Sequence, residues 1–239
     1  MNGGRMIDRR SFLALACGLP AAFLPGAAAT GPRLVRRRLR AVRARRLLLG
    51  REVEAMLYDG RLPGPVLELE EGDRLELQFE NALAEPTNLH FHGMRIPPTG
   101  RADNVFLEIP PGERFTYAFD IPEGEAGTYW YHPHHHGAIA RQLWSGLAGA
   151  IVVRGPVDRM PELAGCDERV VVLRDIDFDD AGLAEHTPND WHKGKEGRFL
   201  LANGTFEPAW RMRAGTARLR LINASNARYL RLALSDRRP

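Results

Sequence analysis

The stretch LELQFE, residues 75–80, alternates apolar and polar residues without a break. Side chains along a strand point to opposite faces in turn, so this pattern predicts a strand with one buried face and one wet face. FTYAFDI at 115–121 repeats it, and Leu230, Leu232 and Leu234 repeat it again near the end. Residues 150–153 and 170–173 are short continuous apolar runs, which predict strands covered on both faces. Turn signals separate these segments, among them Pro63-Gly64-Pro65, Glu71-Gly72-Asp73 and Pro110-Pro111-Gly112. Only residues 138–144 predict a helix, and a short one. The expected class is all-β, a sandwich or a barrel.

Further out, the chain echoes itself. YDGRLPGPVLELEEGDRLELQFENA (58–82) and ANGTFEPAWRMRAGTARLRLINA (202–224) share one order of signals. Each runs from Asp/Asn-Gly through a proline, a short apolar stretch, a Gly turn and an alternating strand to Asn-Ala. Two copies of one β-domain are therefore expected, at 33–156 and 165–239, joined near Gly155-Pro156. Sixteen residues follow Asn223, so the second copy is expected to be incomplete and to expose strand edges and apolar faces.

A chain of 239 residues suffices for two such units, one of them partial. Its basic excess is almost wholly arginine, since Lys193 and Lys195 are its only lysines. The arginine runs at 36–40 and 43–46 have no aromatic residues interleaved, so the stacking partners of single-stranded nucleic acid are missing. A solvated strand or arm is expected there, with no nucleic-acid partner. Residues 1–29 read as a twin-arginine-type signal peptide: Arg9-Arg10-Ser11-Phe12-Leu13, a short apolar stretch, then Ala27-Ala28-Ala29. Pro20, Pro25 and Gly26 interrupt that stretch, leaving it short of the ~20 apolar residues a membrane span needs. No stable membrane anchor is expected, and the location is periplasmic or extracellular. Cys17 would leave with the leader, so Cys166 has no disulfide partner and reads as a small packed thiol.

The histidines are unevenly spread. GTYWYHPHHHG, residues 127–137, holds four of the eight. His90-Phe91-His92 and His132-Pro133-His134 are two His-x-His pairs, and residues two apart in a strand share a face. Two adjacent strands would then aim four imidazoles into one cleft, a donor set suited to Cu, Zn, Fe or Ni. His186 and His192 fit no such pattern and are expected to be ordinary surface or loop residues.

PTNLHFHG (86–93), ADNVFLEIPPGERFTYAFDIP (102–122), GTYWYHPHHHG (127–137) and GLAGAIVV (146–153) together resemble the multicopper oxidases, of laccase-like or bacterial copper-resistance type. LINASNARYLRLALSDRRP (221–239) extends the resemblance more thinly. It implies cupredoxin-like Greek-key β-sandwiches, one complete and a second incomplete. It also implies oxidation of a phenolic or metal-ion donor, with O2 reduced to water at a trinuclear copper cluster. His90 matches a type 2 copper ligand, while His92, His132 and His134 match ligands of the type 3 pair. His135 and His136 match no ligand. Asp103 matches an acidic residue near the type 2 copper, a proton relay, and a loop aspartate capping a turn is the other reading. The family's His-Cys-His motif, which joins the type 1 copper to the cluster, has no counterpart in this sequence. The chain is therefore expected to be the N-terminal portion of a longer oxidase, with half of the cluster's ligands, no type 1 site and no turnover alone. The alternative is a non-enzymatic exported structural or copper-binding protein; such relatives typically lose the ligand histidines, which are intact here.

Overall fold

The computed structural model describes residues 32–213 and 215–234. The leader at 1–29, with Cys17, lies outside them. Twelve strands form three four-stranded sheets among the described residues. LELQFE lies within β4 (Arg74–Ala82), and Leu75, Leu77 and Phe79 are buried while Glu76 and Glu80 face outward. β4 pairs in parallel with β1 (Leu34–Leu48) and antiparallel with β6 (Arg114–Asp120), and β2 (Arg51–Tyr58) closes the first sheet on the far side of β1. The second sheet runs β3 (Gly64–Glu70), β8 (Gly149–Arg154), β7 (Gly127–His132), β5 (His90–His92).

The two sheets enclose one core. Leu39, Leu75, Phe79 and Tyr117 come from the first, and Leu69, Phe91, Tyr131 and Ile151 from the second. The sheets stay separate, so the architecture is a sandwich and not a barrel. The arginines of β1 form a solvated strand held by cross-strand partners, with Arg36 on Glu76 and Arg40 on Glu80. Exposed pairs of this kind add little stability.

The third sheet runs β11 (Thr205–Phe206), β10 (Phe199–Ala202), β9 (Asp167–Ile176), β12 (Ala217–Asn223). It reproduces the echo read from the sequence. β12 pairs in parallel with β9 as β4 does with β1. Asp59-Gly60 and Asn203-Gly204 are both turns with positive φ at each residue, 50° and 68° in the first, 50° and 74° in the second. The Asp59 side chain accepts from the Arg40 amide in β1, and Asn203 accepts from the Val172 amide in β9, each at 2.9 Å. Asn81 and Asn223 each accept from the backbone amide two residues on.

Two short α-helices, α1 (Ile139–Ser145) and α2 (Pro188–Lys193), and one 3-10 turn (Pro156–Arg159) complete the regular elements among the described residues. Leu143 of α1 and Ala148 and Ala150 of the first sandwich pack on Val172, Ile222 and Ala224 of the third sheet. A further cluster joins Leu48, Val53 and Leu57 to Ile176, Phe178 and Leu201.

Three expectations need correction. Residues 230–234 form no strand, and Leu232 and Leu234 are exposed, because no neighbouring strand among the described residues offers them a hydrogen-bond ladder. Residues 208–213 are likewise irregular, although their counterpart in the first copy is β3, which pairs with β8. Cys166 is half-buried rather than packed. The third sheet also has no facing sheet among the described residues, and Leu219 and Leu221 on its outer side are 49% and 47% exposed.

Candidate metal centre

β5 and β7 lie side by side with His90 opposite His132, Phe91 opposite Tyr131, and His92 opposite Trp130. His90 and His92 share a face of β5, as alternation requires, and their ring centroids are 5.3 Å apart. Phe91, pointing the other way, is fully buried among aromatic rings of the core. One strand thus anchors through Phe91 and presents two imidazoles on its other side.

The second pair is built differently. β7 ends at His132, because Pro133 has no N–H to continue a ladder. His134 therefore lies beyond the strand, yet its ring sits 5.3 Å from His90 and 6.4 Å from His132. Its backbone amide donates to Asn88 Oδ1 at 2.7 Å. Strand alternation places three of the four histidines; a side-chain amide holds the segment of the fourth.

Ligand atoms of His90, His92 and His132 lie within 4.8 Å of one another. His132 Nδ1 donates to the Pro133 carbonyl at 2.9 Å, which leaves its Nε2 as the lone-pair nitrogen. That Nε2 stands 3.4 Å from His92 Nδ1. Two imidazole nitrogens bound tetrahedrally at ordinary lengths are about 3.3 Å apart, so this spacing fits a shared metal. His134 Nδ1 is buried with no hydrogen-bond partner in the protein, an unsatisfied ring nitrogen beside the cluster. The residues present fit an imidazole-bound transition metal.

The surroundings favour the neutral form of three of these rings. Burial, reinforced by the neighbouring imidazoles, pushes His132 down to about 3 despite its bond to the Pro133 carbonyl. Burial also lowers His92 and His134. Neutral imidazole is the metal-binding form. Trp130 lies against both His132 and His92, with centroids at 4.2 and 5.1 Å, and restricts ring rotation.

Asp103 reaches the cluster from the loop between β5 and β6. Both its oxygens lie 2.9 Å from His90 Nδ1, and Oδ1 also accepts from the Phe91 amide at 2.9 Å. His90 Nδ1 then carries the proton and its Nε2 is free, a carboxylate–histidine arrangement common behind metal ligands. His136 is exposed and packs edge-on against Phe106, outside the three-histidine cluster. His135 is half-buried and also outside it. His186 stacks on Trp191 at 4.5 Å, away from the cluster.

Sequence reading missed the supports. Thr87, Asn88 and Gln142 are all 0% exposed. Thr87 donates to Gln142, and Gln142 donates to Glu85 and to the Pro86 carbonyl. Their signal was polar residues beside each histidine pair, which carry no period that distinguishes a clamp from a loop.

Comparison with known proteins follows the same residues. The family model described as multicopper oxidase matches residues 42–158. The multicopper oxidase mco of Staphylococcus aureus is 35% identical over 181 residues, covering 75% of this chain and 40% of that protein. The cell division protein FtsP of Photorhabdus laumondii is 33% identical over 184 residues, covering 76% of this chain and 38% of that protein. The crystal structure of a multicopper oxidase from Pseudomonas thermotolerans superposes with a TM-score of 0.71 at 31% identity, covering 82% of this chain and 47% of that one. The chain thus spans about 40% of the length of the curated relatives it matches. Sandwich, histidine pairs and sequence similarity agree: the chain belongs to the multicopper oxidase family.

Proposed function

We propose that His90, His92, His132 and His134 are copper ligands of an exported oxidase that reduces O2 to water with electrons from a phenolic or metal-ion donor. The convergence of His92 Nδ1 and His132 Nε2 at 3.4 Å, beside the free Nε2 of His90 and the buried, unpartnered Nδ1 of His134, carries this reading. Following the family resemblance, His90 belongs to the type 2 copper and the other three to the type 3 pair. Bound copper supplies the one-electron redox chemistry that imidazole lacks. The protein's own part is to hold protons and rings in place. Asp103 keeps a proton on His90 Nδ1, and the Pro133 carbonyl keeps one on His132 Nδ1. As a carboxylate beside the cluster, Asp103 is also the group placed to relay protons. Domain limits at 33–156 and 165–239, and export through the Arg9-Arg10 leader, complete the proposal. No helix among the described residues is long and apolar enough to cross a membrane.

Similarity to FtsP favours a second reading, a non-enzymatic structural role. Copper(II) titration of the purified chain, followed by EPR, separates the two. The oxidase reading expects bound copper with nitrogen hyperfine structure, lost in the double variant His92→Ala/His132→Ala. Equal copper uptake by both proteins would leave the structural role. Because the cluster needs more ligands than these four, the isolated chain should show no sustained O2 uptake on a phenolic donor in an oxygen electrode.

A further inference from the structure

His134 is the one proposed ligand that strand geometry does not position, and what positions it is a single buried side chain. Asn88, two residues before His90, is fully buried. Its Oδ1 accepts from the His134 amide at 2.7 Å. Its Nδ2 donates to the carbonyls of Val105 and Leu107 at 3.1 and 2.8 Å. Those two carbonyls belong to the loop that carries Asp103, which in turn holds His90. One carboxamide therefore ties together three separate segments, each supplying a group of the centre: the lead into β5, the Asp103 loop, and the chain after Pro133.

No other side chain type fits this place well. Three bonds in two directions need an acceptor and a two-hydrogen donor on one planar group. A carboxylate would keep the acceptor but face two carbonyl oxygens, and an apolar residue would strand all three backbone groups in the interior. The neighbouring Thr87 donates to Gln142 of α1, so the dipeptide Thr87-Asn88 holds both the second histidine pair and the helix that follows it.

We propose that Asn88 is a positioning residue for the metal centre, setting the place of His134 relative to His90 and Asp103. The inference rests on the copper reading above. Copper(II) affinity of the full chain, measured by competition with a chromophoric chelator, tests it in five proteins: native, Asn88→Ala, His134→Ala, the double variant, and Asn203→Ala. Asn203 makes the same kind of side-chain clamp, to Val172 and Val170, away from the histidines. Removing an outer support of a metal ligand costs about 10- to 100-fold in affinity. Asn88→Ala should weaken binding by that factor, the double variant should bind no more weakly than His134→Ala, and Asn203→Ala should bind as the native chain does. Independent, multiplying losses from Asn88→Ala and His134→Ala would overturn the proposal, as would an equal loss in Asn203→Ala. Should Asn88→Ala not fold, hydrogen exchange in the native chain decides: the His134 amide must be protected, and exchange at the free-peptide rate sinks the idea. A native chain that binds no copper removes the copper reading and this one with it. Native binding with an unaffected Asn88→Ala removes this one alone.

Discussion

Asp103 is a single carboxylate that sets the state of a proposed ligand. Its carboxylate accepts from the His90 ring and from the Phe91 amide, so it fixes both the tautomer of a ligand and the backbone beneath it. Asp103→Asn keeps the size but brings an N–H toward the ring, so His90 must turn its other tautomer or rotate away. Copper(II) affinity should fall about 10-fold or more, the usual cost of losing such a partner, in a chelator competition assay. His135→Ala should leave that affinity unchanged, because His135 lies outside the cluster. At this scale the sequence was legible where a residue type has few uses: four histidines in two pairs point to metal without further help. Asn88 and Gln142 were not legible, because a buried amide is recognised only by the carbonyls and amides that surround it.

Among the elements, β8 shows how a glycine can be dictated from across a sheet. A Cβ on Gly149 would lie 2.2 Å from the Tyr131 ring, and Tyr131 itself is fully buried between the sheets. Tyr131 packs at a tilt against Tyr58, with ring centroids 5.1 Å apart, and donates to the Pro65 carbonyl at 2.7 Å, so it has nowhere to move. Gly149→Ala should destabilise the fold by about 1–3 kcal/mol, the range for overpacking, read as a lower midpoint in urea unfolding. Because Tyr131 leads directly into His132, the same variant should also weaken copper binding. Strand alternation predicted β4 and β6 well, since one face of each meets the core and the other meets water. It failed at 230–234, where the same alternation finds no ladder to join among the described residues.

For the whole molecule, the contact between the second and third sheets is electrostatic as well as apolar. Arg154 at the end of β8 meets Glu168 of β9 at 2.6 Å, and Arg218 and Arg220 of β12 converge on Asp158. Burial pushes the Asp158 and Glu168 carboxyls up, but the Gly155 amide and Arg218 at Asp158, and Arg154 and Arg220 at Glu168, outweigh it and hold both below their ordinary values. Carboxyls lowered in the folded state stabilise it above their unfolded pKa, about 4, and that contribution is lost as pH falls through the folded values. Stability in urea should therefore drop on acidification below about pH 4. Arg220→Met, at a side chain only 3% exposed, should cost about 3 kcal/mol at pH 7 and flatten that acid drop. The sequence by itself determined the all-β class, the doubled turn-and-strand unit and the two histidine pairs, since alternation, Asx-Gly turns and His-x-His spacing are local and each has one main physical cause. Only the tertiary structure decided that Pro133 ends β7 before His134, that Asn88 and Asp103 hold the ligands, and that arginines join the sheets. Those depend on which polar groups meet in the interior, where an unpaired donor or acceptor is costly, and no local spacing reveals that meeting.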